Sequence, residues 1–196
     1  MESLTTEVGP RLAGSEAEAR ARDWAVKNLT RYGFENVRVE PFMIEGWRRG
    51  AETAEVVSPF PQKLAITSLG NSVATPANGV EAEVVLFESL AALRAAPDDS
   101  LRGKITYVGH AMKRTQDGSS YGHFVRLRSA GAVEAGRRGA IATLIRSIGT
   151  DSHRMPHTGN MSYSSDVTPI TVAALPTLMP ISWSEWRNEV RGSALN

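Results

Sequence analysis

An α/β fold, with helices packed on a parallel or mixed sheet, is what this sequence predicts. Three observations lead there. Short apolar runs rich in β-branched residues, such as 82–88 (AEVVLFE) and 104–108 (KITYV), alternate with alanine-rich stretches of helical period. Hydrophobic residues make up 41% and charged residues 22%, the ordinary balance of a chain that buries a core. The 196 residues suffice for one good core, or for one small domain plus part of another.

The first element is a helix over residues 15–32. Ser15 and Glu18 have capping-box spacing, and Ala21, Trp24, Ala25, Asn28, Leu29 and Tyr32 make one mostly apolar stripe. Gly33 follows, able to close the helix in a left-handed conformation. Residues 37–40 (VRVE) alternate as a half-buried strand does, with Pro41 limiting it to an edge. Glu55, Val56 and Val57 predict another strand, cut off by the prolines at 59 and 61.

From about Leu64 the texture changes. Strands are expected at 82–88, 104–108, 139–145 and 168–173, and helices at 90–95 and 129–138. Residues 109–125 and 147–167 lack clear periodicity. Loops of that length inside a domain are usually functional or disordered, and both hold histidines, glycines and hydroxyl residues.

Lysine and arginine number 22 against 21 acids, for a net charge of +1, so no field draws the chain to nucleic acid or an anionic membrane. The absence of cysteine removes disulfides, thiolate zinc sites and cysteine nucleophiles. Apolar runs such as 140–145 are too short to span a bilayer. Met1-Glu2-Ser3 opens no signal peptide, so any export signal is expected to have been removed or not encoded here.

Three motifs invite chemistry. Residues 118–122 (GSSYG) match G-x-S-x-G, but the preceding strand ends near Val108 and no acid-then-histidine order follows; a flexible loop is the simpler reading of Ser120. His153 and His157 are four apart, yet Pro156 between them disfavours the helix that would aim both at a metal. His110 and His123 read as isolated. The arginines at 126, 128, 137, 138, 146 and 154 are interleaved with apolar positions, and solvated helix faces with local salt bridges account for most of them. These residues alone stop at a soluble α/β protein with two suspicious loops.

A run of short segments goes further. Residues 9–15 (GPRLAGS), 45–50 (EGWRRG), 69–72 (LGNS) with Thr75-Pro76, and 103–105 (GKI) come in order. Asp117-Gly118, Tyr121-Gly122, Gly139-Ala140, 145–147 (IRS), 157–159 (HTG) and Tyr163 follow. In order and spacing over about residues 9–174 they resemble the co-catalytic zinc exopeptidases of metallopeptidase family 28, on the carboxypeptidase-Q-like branch. The resemblance implies that residues 1–63 begin the catalytic α/β domain with a helix-strand piece. It implies that residues 64–174 form a protease-associated (PA) insert domain, a mixed sheet with flanking helices.

It also implies two zinc ions in the full-length enzyme, a short peptide substrate, and secretion or a periplasmic location. The ligands would begin with a histidine-x-aspartate after the insert, and neither 110–112 (HAM) nor 153–155 (HRM) has the aspartate. No catalytic or metal residue is therefore assigned, and the chain is expected to be inactive alone. Arg146, His157, Thr158 and Tyr163 are the candidates for substrate contacts from the lid, with a loop-tying role as the alternative. Residues 175–196 depart from the family and are expected to be non-native sequence; a native reading would have Trp183, Trp186 and Val190 packing as a short helix. Trp24, Leu29 and Val39 are expected to lack a covering partner, so self-association is expected. Two alternatives stay open: a stand-alone PA-type binding module, and a hydrolase using Ser120.

Overall fold

The computed structural model describes residues 2–59 and 61–178. The chain divides between Arg48 and Arg49 into two units. The domain boundary expected from the sequence, 63/64, falls within the second unit.

In the first unit a one-turn π-helix, Leu4–Val8, precedes helix α1, Glu16–Arg31. Ser15 caps α1 by accepting the Glu18 amide N–H at 3.2 Å. The reciprocal half of the box is absent, because the Ser15 N–H goes to the Leu12 carbonyl and Glu18 pairs with Arg22 at 3.1 Å. Gly33, at φ 85°, ends the helix as expected. Trp24 donates its indole N–H to Ser3 Oγ at 2.9 Å. No α1 residue is buried, and Leu29 and Val39 are exposed.

Residues 37–40 do not form the expected strand. Alternation gives a strand its two faces, but only a ladder partner fixes it, and among the described residues no segment pairs here.

The second unit opens with hairpin β1 (Ala54–Val56) and β2 (Gln62–Leu64), antiparallel. Its main sheet has five strands: β3 (Thr67–Ser68), β4 (Val84–Phe87), β5 (Ile105–Val108), β6 (Ala142–Arg146) and β7 (Thr171–Leu175). Their order is β3-β7-β6-β5-β4, with β4 to β7 parallel and β3 antiparallel to β7. The mixed α/β sheet read from the sequence is therefore the observed class.

Helices α2 (Leu90–Arg94), α3 (Tyr121–Phe124) and α4 (Arg126–Arg137) occupy the connections. Helix α4 packs on β6 at Gly131, where a Cβ would meet Ile145 Cγ2 at 3.6 Å, an ordinary contact distance. Beneath it Thr106 donates to Thr143 across β5 and β6 at 3.0 Å, satisfying two hydroxyls that are fully buried. Leu69, Leu93, Val108, Ile145 and Val172, all fully buried, anchor the core.

Two arginines that sequence reasoning left on solvated faces are buried: Arg128 at 7% exposure and Arg138 at 8%. The reason is periodic. Arg128 shares a stripe with Ala132 and Ala135, and Arg138 lies seven residues beyond Gly131, so both point where α4 packs. Arg138 is fully engaged: Nε donates to the Ala96 carbonyl, Nη2 to the Arg94 carbonyl, and Nη1 to Glu134 O and Oε2.

Residue 175 ends β7 as an ordinary sheet residue. The proposed packing of Trp183, Trp186 and Val190 lies outside the described residues.

Candidate functional site

Parallel strands β5, β6 and β7 end together at Val108, Arg146 and Leu175, and the two long loops, 109–120 and 147–170, leave from that edge. Three of the four lid candidates, Arg146, His157 and Thr158, gather there because Ser147 draws the second loop back. Ser147 Oγ accepts the His157 amide N–H at 3.0 Å and donates to the His157 carbonyl at 3.2 Å. Its own N–H reaches the Leu175 carbonyl at 2.8 Å.

Asp151 organises the same loop. Its Oδ1 accepts the His153 amide N–H at 3.1 Å and the Thr177 hydroxyl at 3.0 Å, and Oδ2 lies 3.3 Å from His157 Nε2. The His153 amide, helped by the Thr177 hydroxyl, holds the Asp151 carboxyl below its ordinary range against the opposing effect of burial. His153 meets Asp151 through its backbone, so the four-residue spacing of His153 and His157 brings one imidazole, not two, to the carboxylate. Among the described residues no three His, Cys, Asp or Glu side chains converge as a metal site.

The remaining candidates divide by what their polar atoms do. Thr158 Oγ1 donates to the Ser68 carbonyl at 2.7 Å, tying the loop to β3. Tyr163 Oη donates to the Ile170 carbonyl at 2.6 Å and accepts the Val73 amide N–H at 3.1 Å. Arg146 Nε donates to the Thr177 carbonyl at 3.0 Å, while its buried Nη1 has no hydrogen-bond partner among the described residues.

In the other loop Ser120 stands at the N-cap position of α3 without a side-chain cap, because its hydroxyl donates to the Lys113 carbonyl at 2.5 Å. No strand runs into it, since β5 ends at Val108, so the geometry of a nucleophile elbow is absent. His110 and His123 are not isolated: their rings lie 6.0 Å apart and both pack on Phe124. Burial, then the charges of His123 and Lys113, push the His110 pKa below its ordinary value.

Arg128, which sequence reasoning did not single out, joins this edge. Its Nη1 donates to Tyr121 Oη at 2.8 Å, and a Cβ on Gly159 would lie 2.6–2.9 Å from Nη1, Cδ and Cζ. Only a glycine lets the guanidinium lie so close to that backbone. The i, i+4, i+7 stripe through Ala132 and Ala135 was the signal available in the sequence.

No protein-family model matches the sequence. Among curated proteins, carboxypeptidase Q of Bos taurus is 40% identical over 172 residues, covering 88% of this chain and 35% of that protein. Human carboxypeptidase Q is 38% identical over the same shares. Among solved structures, the peptidase M28 precursor from Shewanella amazonensis SB2B is 45% identical, with a TM-score of 0.87 over 98% of this chain and 43% of that one.

The chain belongs to metallopeptidase family 28. It spans about a third of the length of the curated relatives it matches. The zinc aminopeptidase BSAP from Bacillus subtilis, with a TM-score of 0.60 at 18% identity over 89% of this chain and 37% of its own, shares the fold. The family 28 resemblance read from residues 9–174 thus has independent support in both sequence and structure. Among the described residues no helix is long and apolar enough to cross a membrane.

Proposed function

We propose that this chain is the N-terminal, access-controlling part of a zinc-dependent exopeptidase that removes residues from the ends of short peptides. The observation that carries the reading is the 45% identity and TM-score of 0.87 to a family 28 peptidase precursor over 98% of the chain. Residues 1–63 begin the catalytic domain. Residues 64–174 are the PA insert, whose loops 109–120 and 147–170 border the substrate entrance.

The described residues offer no ligand set for zinc, so no hydrolytic step is assigned to them. In the longer enzyme two zinc ions would supply the hydrolytic water, and export to a periplasm or medium fits the reading. Within the lid, Arg146 and His157 face the substrate, while Thr158 and Tyr163 hold the loop through their backbone contacts. Among the described residues the buried Nη1 of Arg146 lacks an acceptor, and His157 keeps an imidazole 42% exposed beside Asp151.

Steady-state kinetics of the longer enzyme test this. Arg146→Ala and His157→Ala should raise KM for a dipeptide roughly tenfold, the size of one lost charge-assisted hydrogen bond, with kcat little changed. Unchanged KM in both variants would return these residues to a loop-tying role. Exposed Phe42 (81%) and Met43 (96%) add to the apolar surface of the first unit, and self-association follows from it. A monodisperse monomer in ultracentrifugation would contradict that.

A second reading, a binding module that works without zinc, draws on one feature: the second unit holds a hydrophobic core of its own. Zinc-independent capture of peptides with no associated hydrolase would favour it.

A further inference from the structure

Among the described residues, two buried side-chain nitrogens lack a hydrogen-bond partner: Arg128 Nε and Arg146 Nη1. Both lie at the carboxyl edge of the sheet, on either side of the strip 157–159. Ser147, next to Arg146, holds His157, and Gly159 lies against Arg128. Arg128 is the sharper case. It is 93% covered, and no carboxylate pairs with it among the described residues; its one hydrogen bond there is Nη1 to Tyr121 Oη. Arg138, equally buried on the same helix, has four acceptors including Glu134. A buried guanidinium without a counter-charge is costly, and such groups are kept where they bind something.

We propose that Arg128 is a carboxylate-binding site, and that its ligand is the terminal carboxylate of a short peptide. With Nη1 engaged by Tyr121, the Nε and Nη2 edge is left, and two parallel N–H groups match the two oxygens of one carboxylate. The same two N–H groups leave the further oxygens of a phosphate unmet. Gly159 backs one face of the guanidinium, so a ligand approaches from the side of Tyr121, which is 43% exposed. Nε is sealed from solvent, and Tyr121 on the short helix α3 is the cover that shifts. The choice of a peptide as carrier rests on the access-element reading above; the carboxylate preference rests on the arginine alone.

Nuclear magnetic resonance of the 196-residue chain provides the test, because a buried arginine Nε–H gives its own resonance. The probes are N-acetyl-Ala-Ala, its C-terminal amide, acetate and inorganic phosphate. The expected result is a saturable shift of the Arg128 Nε–H with the peptide acid, at least tenfold tighter than with the amide or acetate. The variants lack that Nε–H and are followed through the Tyr121 and Gly159 backbone amides: in Arg128→Lys, which keeps the charge and loses the fork, affinity should fall about tenfold. Arg128→Gln should lose the saturable shift of those amides while the rest of its backbone amide spectrum remains that of the folded chain. Equal responses to acid and amide, no response to any carboxylate, or tighter binding of phosphate would overturn the site. Acetate binding as tightly as the peptide acid would keep a carboxylate site but overturn the peptide as its ligand. If a variant fails to fold, the wild-type comparison of acid with amide still decides.

Discussion

Arg137 and Arg138 are neighbours in sequence with opposite expected consequences on substitution. Arg138→Met removes the donors to the Arg94 and Ala96 carbonyls and one ion pair to Glu134, all at a site where Arg138 is 8% exposed. Removing one partner from a buried pair typically costs about 3–5 kcal/mol. Glu134 keeps Arg94 at 3.0 Å and Arg137 at 3.6 Å, so the lower end applies. For a chain of this size, about 3 kcal/mol corresponds to a midpoint lowered by roughly 6–12 °C. Arg137 is 42% exposed and pairs with Asp166 at 2.9 Å, and pairs of that kind contribute little, so Arg137→Met should melt close to the parent. Circular dichroism melts at pH 7 and low salt measure both. An Arg138→Met midpoint within 2 °C of the parent's (roughly 1 kcal/mol or less) would refute the reasoning, as would an equal loss in Arg137→Met.

Further outcomes follow from the same contacts. Ser147→Ala deletes both hydrogen bonds that pin His157, so the 147–170 loop should open more often. Cleavage by trypsin after exposed Arg154 should then accelerate roughly tenfold, as about 1.4 kcal/mol of local opening energy implies. Acid should also destabilise the second unit. Burial works against ionisation of Glu134, but hydrogen bonds from Arg138 and Arg94 outweigh it and hold its carboxyl below the ordinary 4.5. For Glu52, burial is likewise outweighed, by hydrogen bonds from Ser68 and by Arg49. A lowered folded-state value means the stabilisation is complete above 4.5 and is lost as pH falls through the folded value. Melting midpoints should therefore decline below about pH 4.5, and less steeply in Glu134→Gln; identical slopes would remove Glu134 from the explanation.

The central βα pattern was legible because it is local. Residues 82–146 show their strands and helices through runs of four or more residues whose period is readable, and β4, β5, β6, α2 and α4 all stand where expected to within a few positions. The pieces missed were short or dependent on a partner. Strands β2 and β3 have three and two residues, too few to display a period. Residues 37–40 have the right alternation and no ladder.

At the candidate site the limit was distance along the chain. Thr158 reaches Ser68, and Tyr163 reaches Val73, across 90 residues, and nothing local encodes either bond. His110 and His123 meet across a loop segment that has no readable period. Arg128 was readable in principle from its stripe, but a charged residue on an alanine-rich helix is ordinarily solvated, and only the packed helix shows otherwise.

That this chain is the access-controlling front of a family 28 zinc exopeptidase is tested most directly by reading its coding DNA past the codon for Asn196 in all three frames. The expected result is a histidine-x-aspartate at a strand end, followed by further carboxylate ligands, in one of them. If every frame closes without such a motif, the claim is contradicted, and a binding module that works without zinc becomes the better reading.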